Sequence, residues 1–388
     1  MDFALSEQQQ TLVDWAGDFA RSQLAADAFT WEDQDSPERF WAHSERLAAQ
    51  GLLGLAIPEE FGGGGLSKFD ALLCVEAVSH VCPYSGAMVR WTIAGPSAFI
   101  GELGSAEQKA KYLPEIAAGR AAISIAMSEP DSGTASSELA TKAERGPNGY
   151  TINGSKIFIS YADRATAFVV YARFIEDGED RGVGAILVDS DTPGVEVGEA
   201  IEWMGGKIYP LYFDDVVAPV EQVLISPTGG KESYKRLMQT YNVERLGGLF
   251  ELVGVAQLAL DRSATYAVER HQFGKPIAEF QAIQMKLADM AIRVEASRLM
   301  TYKATVAASQ GRATRLAVSM ARVMTTEMVQ YVTNEAMQIH GGYGLSKEYG
   351  LEWLHRYTRH QTVAGGTSEI HRSMIASDLT GLRFDHRR

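Results

Sequence analysis

The sequence YTINGSKIFIS, residues 150–160, carries the strongest β signal in a chain whose other long segments have helical spacing. Asn153-Gly154 separates two runs of β-branched and aromatic residues, and this pair is the strongest short-range predictor of a hairpin. Shorter β segments follow at residues 168–173, 184–189 and 194–197. Their connections are too short to contain the helices of βαβ crossovers. The sequence therefore predicts a compact β domain over residues 122–230.

Helices are predicted on both sides of this β domain. The first begins at the N-cap Ser6, and helical patterns also cover residues 69–81 and 107–118. Residues 57–66 predict a loop, because a proline and four consecutive glycines disfavour a helix there. After residues 229–230, a Gly-Gly pair, helical spacing continues almost to the end of the chain.

Apolar residues recur at helical spacing over residues 281–306 in the C-terminal region. The stripe consists of Ile283, Leu287, Met290, Ala291, Val294 and Ala304. Such a wide stripe predicts burial inside a bundle. The predicted fold is thus mainly α with a β middle domain: an N-terminal helical domain (1–121), the compact β domain (122–230) and a C-terminal helical bundle domain (231–388).

The composition excludes several classes of protein. With 388 residues, 46% hydrophobic and 22% charged, the chain is long enough for two or three globular domains. Its 49 acidic and 36 basic residues give a net charge of −13, which disfavours a nucleic-acid partner. Cys74 and Cys82 form no CxxC or Cys/His cluster, so neither a disulfide framework nor a metal site is predicted.

No export signal or membrane helix is predicted. Residues 1–7 contain no basic stretch followed by an apolar core, and no later run approaches the ~20 apolar residues of a membrane helix. Because cysteines are so few, we expect a reducing compartment and a cytoplasmic protein.

Five short motifs follow one another along the chain, whereas the GxGxxG, P-loop, HExxH and GxSxG signatures are absent. The motifs are MSEP (127–130), NGSK (153–156), ERHQFG (269–274), QIHGGYG (338–344) and GGTSEI (365–370). In this order they resemble the acyl-CoA dehydrogenase family, over roughly residues 2–380. The resemblance implies a flavoprotein whose FAD lies between the β domain and a C-terminal four-helix bundle, and a homotetramer built as a pair of dimers.

The resemblance also implies which residues hold the flavin ring. Ser128 and Ser160 match the hydroxyl donors to its polar edge, and Met127 and Ser128 offer backbone groups. Phe158 takes the aromatic position against the ring, where many relatives carry Trp. Without the flanking motifs, Phe158 would be interpreted as an ordinary strand residue that faces the core.

A second set matches the residues at the other end of FAD. By resemblance, Arg270, Gln272 and Phe273 reach the pyrophosphate and adenine end of a neighbouring subunit's FAD. Gln338, Gly342, Thr367 and Glu369 match further contacts there, and a glycine lets backbone amides approach a phosphate. An Arg in a helix turn is otherwise most often a solvated charge.

The family's chemistry requires a base that removes the α proton of a thioester while the β hydrogen leaves as hydride to flavin N5. Most relatives carry this carboxylate where the present chain has Gly365. A minority, resembling isovaleryl-CoA and long-chain dehydrogenases, place it before an arginine on the first long C-terminal helix, which predicts Glu244 as the base. The alternative is a surface acid paired with Arg245 or Arg236. The Gly365 N–H is predicted to donate to the thioester oxygen.

The acyl-CoA site is predicted from the same resemblance. Arg245 matches a contact to CoA, with an ion pair to Glu244 as the alternative, and Thr134 offers a hydroxyl near the pantetheine. Four residues are expected to line the acyl pocket: Trp91, Leu249, Phe250 and Ala364. Small residues at 364 and 365 widen one wall, which favours a branched, cyclic or otherwise bulky acyl group. The mid-helix pair Gly247-Gly248 indicates either close approach of a ligand or close helix packing.

The predicted reaction is oxidation of an acyl-CoA to its 2-enoyl-CoA, with an electron-transferring flavoprotein as the implied acceptor. Three alternatives stay open. The same fold could act as an enoyl-CoA reductase, as a flavin oxidase or monooxygenase, or as a non-catalytic acyl-CoA-binding protein. Flavin bleaching by an acyl-CoA would favour the dehydrogenase, and rapid reoxidation of the reduced protein by air would favour an oxidase or monooxygenase. A protein that takes up no FAD would favour the non-catalytic role.

Overall fold

The computed structural model describes residues 4–204, 206–227, 231–312 and 314–382. The helices are α1 (Glu7–Gln23), α2 (Trp31–Gln34), α3 (Pro37–Ala49), α4 (Lys68–Ser79), α5 (Pro83–Ile93), α6 (Pro96–Leu103), α7 (Ala106–Ala117), α8 (Lys231–Glu269), α9 (Gln281–Ser309), α10 (Arg315–His340), α11 (Leu351–Arg359) and α12 (Ser368–Thr380). The strands are β1 (Ile123–Ala126), β2 (Lys142–Gly146), β3 (Gly149–Ser160), β4 (Ala167–Glu176), β5 (Glu179–Asp189), β6 (Val195–Val197), β7 (Ile201–Trp203), β8 (Gly206–Ala218), β9 (Val223–Ile225), β10 (His271–Gln272) and β11 (Lys275–Pro276). This order confirms the predicted fold class, mainly α with a β domain in the middle.

The chain divides into two compact units. The helical unit comprises Met1–Gln34, Ser67–Arg90 and Arg245–Arg388, and the sheet unit comprises Asp35–Leu66 and Trp91–Glu244. The predicted domain boundaries after residues 121 and 230 stay predictions. The Gly229-Gly230 pair lies outside the described residues.

In the helical unit, α1 begins where the sequence predicts. The Ser6 hydroxyl accepts a hydrogen bond from the Gln9 N–H at 3.2 Å, and the Gln9 side chain accepts one from the Ser6 N–H at 3.0 Å. This reciprocal capping box satisfies two N–H groups that a helix start leaves open.

The core of the helical unit lies among α8, α9, α10 and α11. Its fully buried members include Leu249, Val253, Ala256, Met290, Val329, Val332 and Leu354. The predicted stripe on α9 is correct at Met290, Val294 and Ala304, which are buried, but wrong at Ala291, which is exposed. Ala291 lies about 100° from the centre of the buried face at 100° per residue. Ser297 and Thr301 take part in that face instead.

The sheet unit contains a twisted sheet with the order β6-β8-β3-β2-β4-β5-β9, in which β1 also pairs with β4 and β7 with β8. Most neighbours are antiparallel, but β1 and β2 each pair parallel with β4. β4 has near-continuous apolar sequence because both of its faces are covered. Alternate residues contribute to two cores: Val169 and Tyr171 to one, Phe168 and Val170 to the other.

The predicted hairpin turn at Asn153-Gly154 is wrong. β3 runs through both residues, and the turn of the β2–β3 hairpin lies at residues 147–148, between Gly146 and its partner Gly149. A register shift against β8 occurs at the Asn-Gly pair. Gly154 has φ +149°, and a Cβ there would lie 2.5 Å from the Thr141 Oγ1. The pair therefore marks a bulge and a close approach rather than a turn.

The loop over residues 57–66 forms as predicted, except for a single 3-10 turn at Glu59–Phe61. Gly63 is required for packing, since a Cβ there would lie 2.0 Å from the Ile57 carbonyl oxygen. Among the residues that the structure describes, no helix combines the length and apolarity that a bilayer crossing requires.

Candidate active site

Four of the predicted flavin residues lie together where the strands β1 and β3 end. We call this end of the sheet, around residues 127–129 and 156–160, the sheet edge. The Ile157 N–H donates to the Ser128 carbonyl oxygen at 2.9 Å, and the Ser124 hydroxyl donates to the Ser160 carbonyl oxygen at 2.7 Å. These bonds align the chain that follows β1 with the end of β3. The structure thereby brings together Met127, Ser128, Phe158 and Ser160.

A buried ion pair holds the two chain segments of the sheet edge together. The Lys156 side chain is fully buried, and its Nζ lies 2.7 Å from a Glu129 carboxylate oxygen and 3.2 Å from the Met127 carbonyl oxygen. The Glu129 carboxylate also accepts hydrogen bonds from the Ala140 N–H at 2.6 Å and the Thr141 N–H at 3.0 Å. One ion pair therefore ties the MSEP motif to the NGSK motif.

Both members of this pair are charged at neutral pH. Burial lowers the pKa of the Lys156 ammonium to about 8, although the Glu129 carboxylate raises it. Burial also disfavours the ionised form of Glu129, but the hydrogen bonds from Lys156, Thr141 and Ala140 hold the pKa of its carboxyl below its ordinary value.

Phe158 is presented to solvent on a strained backbone. Its φ is +63°, and the register of β3 against β8 shifts between Lys156 and Ile159. The ring is 52% exposed, with Trp203 at 5.8 Å between ring centroids. Bulky residues rarely adopt this conformation unless surrounding structure imposes it. The bulge therefore turns an aromatic ring outward beside Ser128 and Ser160.

Trp91, predicted to line the acyl pocket, lies at the same edge. Its indole N–H donates to the Ile123 carbonyl oxygen at 2.7 Å. Its ring packs edge-to-face on Tyr161, with centroids 5.3 Å apart and an interplanar angle of 86°. Tyr161 follows Ser160 directly, so Trp91 is near the flavin residues of the sheet unit.

In the helical unit, two arginine side chains, the half-buried Arg245 and the buried Arg322, hold the loop around Gly365. The Arg245 Nε donates to the Gly365 carbonyl oxygen at 2.8 Å. Arg322, 4% exposed, donates to the carbonyl oxygens of Ala364 and, at 3.2 Å, of Gln361. The carbonyl groups of this loop are thus directed toward guanidinium groups.

Glycine suits position 365 for two reasons. Its φ is +68°, and a Cβ there would lie 2.8 Å from the Arg322 Nη2. Within the described ranges, the Gly365 N–H donates to no protein acceptor. The loop therefore carries a fixed backbone donor where a side chain would be strained.

His371 completes the set of groups around this loop. Its Nε2 lies 3.4 Å from the Gly365 carbonyl oxygen and its Nδ1 3.2 Å from the Ser319 hydroxyl. Burial, with Arg322 and Arg245 nearby, lowers the pKa of the imidazole to about 4. His371 is therefore neutral at pH 7, with Nε2–H donating to the carbonyl and Nδ1 accepting from Ser319.

The predicted FAD residues at 270–273 lie on a small hairpin. β10 and β11 are joined by Phe273-Gly274, and both residues have positive φ, +52° and +79°. This is the pattern of a type I′ turn, in which Asn-Gly is the ordinary choice. The Phe273 ring at its tip is 93% exposed. The hairpin therefore presents an aromatic ring that the protein's own core does not cover.

Arg270 lies near the end of α10, where two more predicted contacts occur. Its guanidinium is 5.9 Å from the centroid of the Tyr343 ring. Gln338 is exposed on the last turn of α10. A Cβ at Gly342 would meet nothing within 4 Å in the described part of the chain, so a ligand has room at this backbone.

Thr367 and Glu369 lie at the start of α12. The Thr367 hydroxyl accepts from the Ile370 N–H at 3.3 Å as the helix N-cap. Hydrogen bonds from its own backbone N–H and from Thr367 lower the pKa of the exposed Glu369 carboxyl. Both residues therefore have capping contacts, and their predicted cofactor roles stay predictions.

The remaining predicted residues differ in their burial. Glu244 is half-buried on α8, and Thr134 is exposed. Leu249 and Phe250 are fully buried, and the Phe250 ring stacks on Tyr302 with centroids 5.4 Å apart. A Cβ at Gly248 would meet nothing within 4 Å of the described protein, so helix packing does not require this glycine.

These residues fit an FAD. The cofactor presents an aromatic ring system, a hydrogen-bonding edge and a diphosphate. The exposed ring of Phe158 suits the first, and the hydroxyls of Ser128 and Ser160 suit the second. Arg270 with the open backbone at Gly342 suits the diphosphate, which the family resemblance assigns to the FAD of a neighbouring subunit.

Four residues that position these groups had no predicted role: Lys156 and Tyr161 in the sheet unit, and Arg322 and His371 in the helical unit. Lys156 stood inside a motif, but nothing in the sequence showed that Glu129 would be its partner. Arg322 sits in the middle of α10 and His371 in α12, without a local signal. Only the tertiary fold brings them to Gly365.

Comparisons with known proteins match the chain along almost its whole length. Residues 6–120, 124–216 and 234–380 match the families described as the N-terminal, middle and C-terminal domains of acyl-CoA dehydrogenase. A 3-sulfinopropanoyl-CoA desulfinase of Paraburkholderia xenovorans (strain LB400) is 36% identical over 391 residues, covering 100% of this chain and 99% of the relative.

Two solved structures have the same fold. The complex of glutaryl-coenzyme A dehydrogenase with glutaryl-CoA has a TM-score of 0.90 and 30% identity, covering 100% of this chain and 99% of that one. The FAD complex of PigA has a TM-score of 0.89 and 29% identity, covering 98% and 99%. One relative was solved with an acyl-CoA and the other with FAD.

Proposed function

Because this chain belongs to the acyl-CoA dehydrogenase family and is an FAD enzyme, we propose that it oxidises an acyl-CoA to the 2-enoyl-CoA. The observation that carries this proposal is the loop at Gly365. Within the described residues the Gly365 N–H donates to no protein acceptor, and its loop is held by the buried Arg322, the half-buried Arg245 and a neutral imidazole. A fixed backbone donor is what the developing enolate oxygen of a thioester needs.

Glu244 is the proposed base. Its half-buried position on α8 suits a carboxylate that a bound substrate would shield from water. It takes the α proton, and the Gly365 N–H stabilises the thioester oxygen. When bound, FAD accepts the β hydrogen as hydride.

The observed contact of Arg245 differs from both of its predicted roles, a contact to CoA and an ion pair with Glu244. Its Nε is hydrogen-bonded to the Gly365 carbonyl oxygen at 2.8 Å, which supports a role in holding the donor loop. A contact from the rest of its guanidinium to CoA is compatible with this bond, since the group carries five N–H donors.

The acyl group is proposed to be branched, cyclic or bulky. Gly365 and the exposed Ala364 offer little side-chain volume on one side, and the open space at Gly248 favours a ligand over helix packing. The proposed acceptor is an electron-transferring flavoprotein. Thr134, Trp91, Leu249 and Phe250 stay proposals for the acyl-CoA site.

A homotetramer is proposed from exposed apolar side chains. Met285, Ile292 and Leu299 are 54%, 66% and 38% exposed and recur every seven residues on the face of α9 opposite its buried side. The 93% exposed Phe273 supports its proposed contact to a neighbouring subunit's FAD. Exposed apolar residues at regular helical spacing favour a second copy as partner.

Glu244→Gln tests the base. We expect anaerobic reduction of the flavin by acyl-CoA to slow by roughly 10²–10⁴-fold while FAD stays bound. Glu295→Gln, an exposed acid on α9, is the control and should reduce at the wild-type rate. Reduction of the Glu244→Gln protein at a rate close to wild type would exclude Glu244 as the base.

A second candidate function comes from the 36% identical relative, named for the desulfination of 3-sulfinopropanoyl-CoA. Replacement of the β-sulfinate by hydrogen, with water as the co-reactant, gives propanoyl-CoA and sulfite without net hydride transfer, so the flavin would stay oxidised. Release of sulfite from 3-sulfinopropanoyl-CoA without flavin bleaching would favour this function over dehydrogenation.

A further inference from the structure

Five residues other than glycine have positive φ in the described part of the chain: Phe158, Tyr161, Asp177, Asp215 and Phe273. The two aspartates belong to a residue type that tolerates this conformation. Asp177 occupies the turn between β4 and β5. The other three are aromatic, and for a bulky side chain this backbone region is strained.

Two of the three strained aromatic residues already have proposed roles at FAD, namely Phe158 and Phe273. Tyr161 has none. Its φ and ψ are +57° and +24°, and it follows the proposed flavin contact Ser160 directly. Asparagine would adopt this conformation at lower cost, so the backbone alone gives no reason for a tyrosine here. The aromatic ring is therefore what distinguishes this position.

The surroundings hold the Tyr161 ring firmly. Trp91 packs on it edge-to-face at 5.3 Å, and Phe40 lies at 5.6 Å with a 40° tilt. The Arg164 guanidinium is 5.8 Å from the ring centroid and is itself bound to Asp35 at 2.6 Å. Tyr161 is half-buried, so part of the residue is accessible.

Trp91 links this cluster to the proposed acyl pocket. It is the proposed lining residue of the acyl pocket, and its indole N–H is bound to the carbonyl oxygen of Ile123 on β1. The Trp91–Tyr161 pair thus stands beside the chain segments that carry Ser128 and Ser160. Edge-to-face aromatic pairs present a rigid, largely apolar surface.

We propose that Tyr161 is a specificity-determining residue, which forms with Trp91 an aromatic wall that limits the length of the bound acyl group. The proposal rests on the proposed function, because it takes Trp91 as part of the acyl site. The wall recognises an acyl group whose far end is apolar and short. Removing the ring lets longer acyl chains bind.

Tyr161→Asn tests the wall in the holoenzyme. The measurement is acyl-CoA binding, followed by the perturbation of the flavin absorption spectrum, for butyryl-CoA and octanoyl-CoA. We expect the ratio of the two Kd values to shift at least about tenfold in favour of octanoyl-CoA. The unfolding temperature should fall, because the packing of the ring on Trp91 and Phe40 is lost and relief of backbone strain offsets only part of that loss. Asp177→Gly, at another positive-φ position, should leave the ratio unchanged.

A ratio within about twofold of wild type for Tyr161→Asn would overturn the proposal, as would the absence of acyl-CoA binding by the wild-type protein. If Tyr161→Asn fails to retain FAD, Trp91→Phe replaces it, and the same shift is expected. Binding requires no turnover. A shifted ratio in a protein whose flavin stays oxidised would support the wall while contradicting the proposed dehydrogenation.

Discussion

The sheet edge and the Gly365 loop present their functional groups in opposite ways. At the sheet edge, side chains are presented by a strained backbone: Phe158 at φ +63° is turned outward, and the Lys156–Glu129 ion pair lies behind it. At the Gly365 loop, a backbone N–H is presented by side chains, since Arg322 and His371 direct the neighbouring carbonyl groups. Both regions contain a buried charge. It is part of an ion pair at the sheet edge, and it is a guanidinium group bound to carbonyl oxygens at the Gly365 loop.

This difference shows where substitutions should act. The sheet edge depends on a charge pair that is costly to break in the dry interior, so its failure should appear first as lost stability. The Gly365 loop depends on the orientation of one N–H donor, so substitutions there should first lower kcat. Variants that reversed these outcomes would contradict the comparison.

Breaking the buried ion pair should have the largest effect. Lys156→Met leaves the Glu129 carboxylate buried without its cation, and we expect the free energy of unfolding to fall by about 3–5 kcal/mol in urea titration. Lys111→Met is the matched control, since Lys111 and Asp189 form an exposed pair at 2.6 Å. That change should cost less than about 1 kcal/mol. Equal losses would contradict a special role for the buried pair.

The pH dependence of stability should report His371. The imidazole has a pKa of about 4 in the folded protein and 6.5 as an ordinary side chain. Between these two pH values the unfolded chain binds a proton at His371 that the folded chain does not bind. This contribution is complete above pH 6.5 and is lost as the pH falls toward 4, by at most roughly 3 kcal/mol.

His371→Asn should flatten that part of the profile. The measurement is the urea midpoint of the holoenzyme between pH 4 and pH 7 for the wild-type protein and the variant. Parallel profiles would show that another group causes the acid sensitivity.

Arg322→Met should act mainly on rate. Without the guanidinium, the carbonyl groups of Ala364 and Gln361 lose a donor and the Gly365 N–H is less well aimed. We expect kcat to fall roughly 10–100-fold with a smaller change in KM, and Arg322→Lys to restore part of it. Arg315→Met, at an exposed pair with Asp378 on the same helix, is the control and should leave kcat unchanged.

Gly365→Ala should have the smallest effect of the four. The N–H is kept, but the added Cβ meets a φ of +68° and the end of the flexible Arg322 side chain. We expect a loss of about 1–2 kcal/mol in the free energy of unfolding. A gain in stability would show that the positive φ does not constrain this position.

The sequence predicted more of the sheet edge than of the loop, for a physical reason. Strand and helix signals are local, so the Ser6 cap and the β domain were predictable. The turn predicted at Asn153-Gly154 was wrong because bulges and turns favour the same residue types. Only the pairing of β3 with β8 distinguishes the two.

The groups that hold the loop could not be predicted, because they come from distant parts of the chain. Arg245, Arg322 and His371 reach Gly365 from α8, α10 and α12. Arg322 and His371 have no local pattern that distinguishes them from other polar residues on helices, and Arg245 was predicted as a contact to CoA rather than to the Gly365 carbonyl. The motif showed that a carboxylate is missing at position 365, but not which side chains organise the backbone there.

The decisive experiment for acyl-CoA dehydrogenation is anaerobic titration of the FAD-loaded protein with a panel of acyl-CoA thioesters that includes branched and cyclic acyl groups. We expect stoichiometric loss of the yellow flavin absorption with at least one of them. A flavin that stays oxidised with every thioester that binds would contradict acyl-CoA dehydrogenation by this protein.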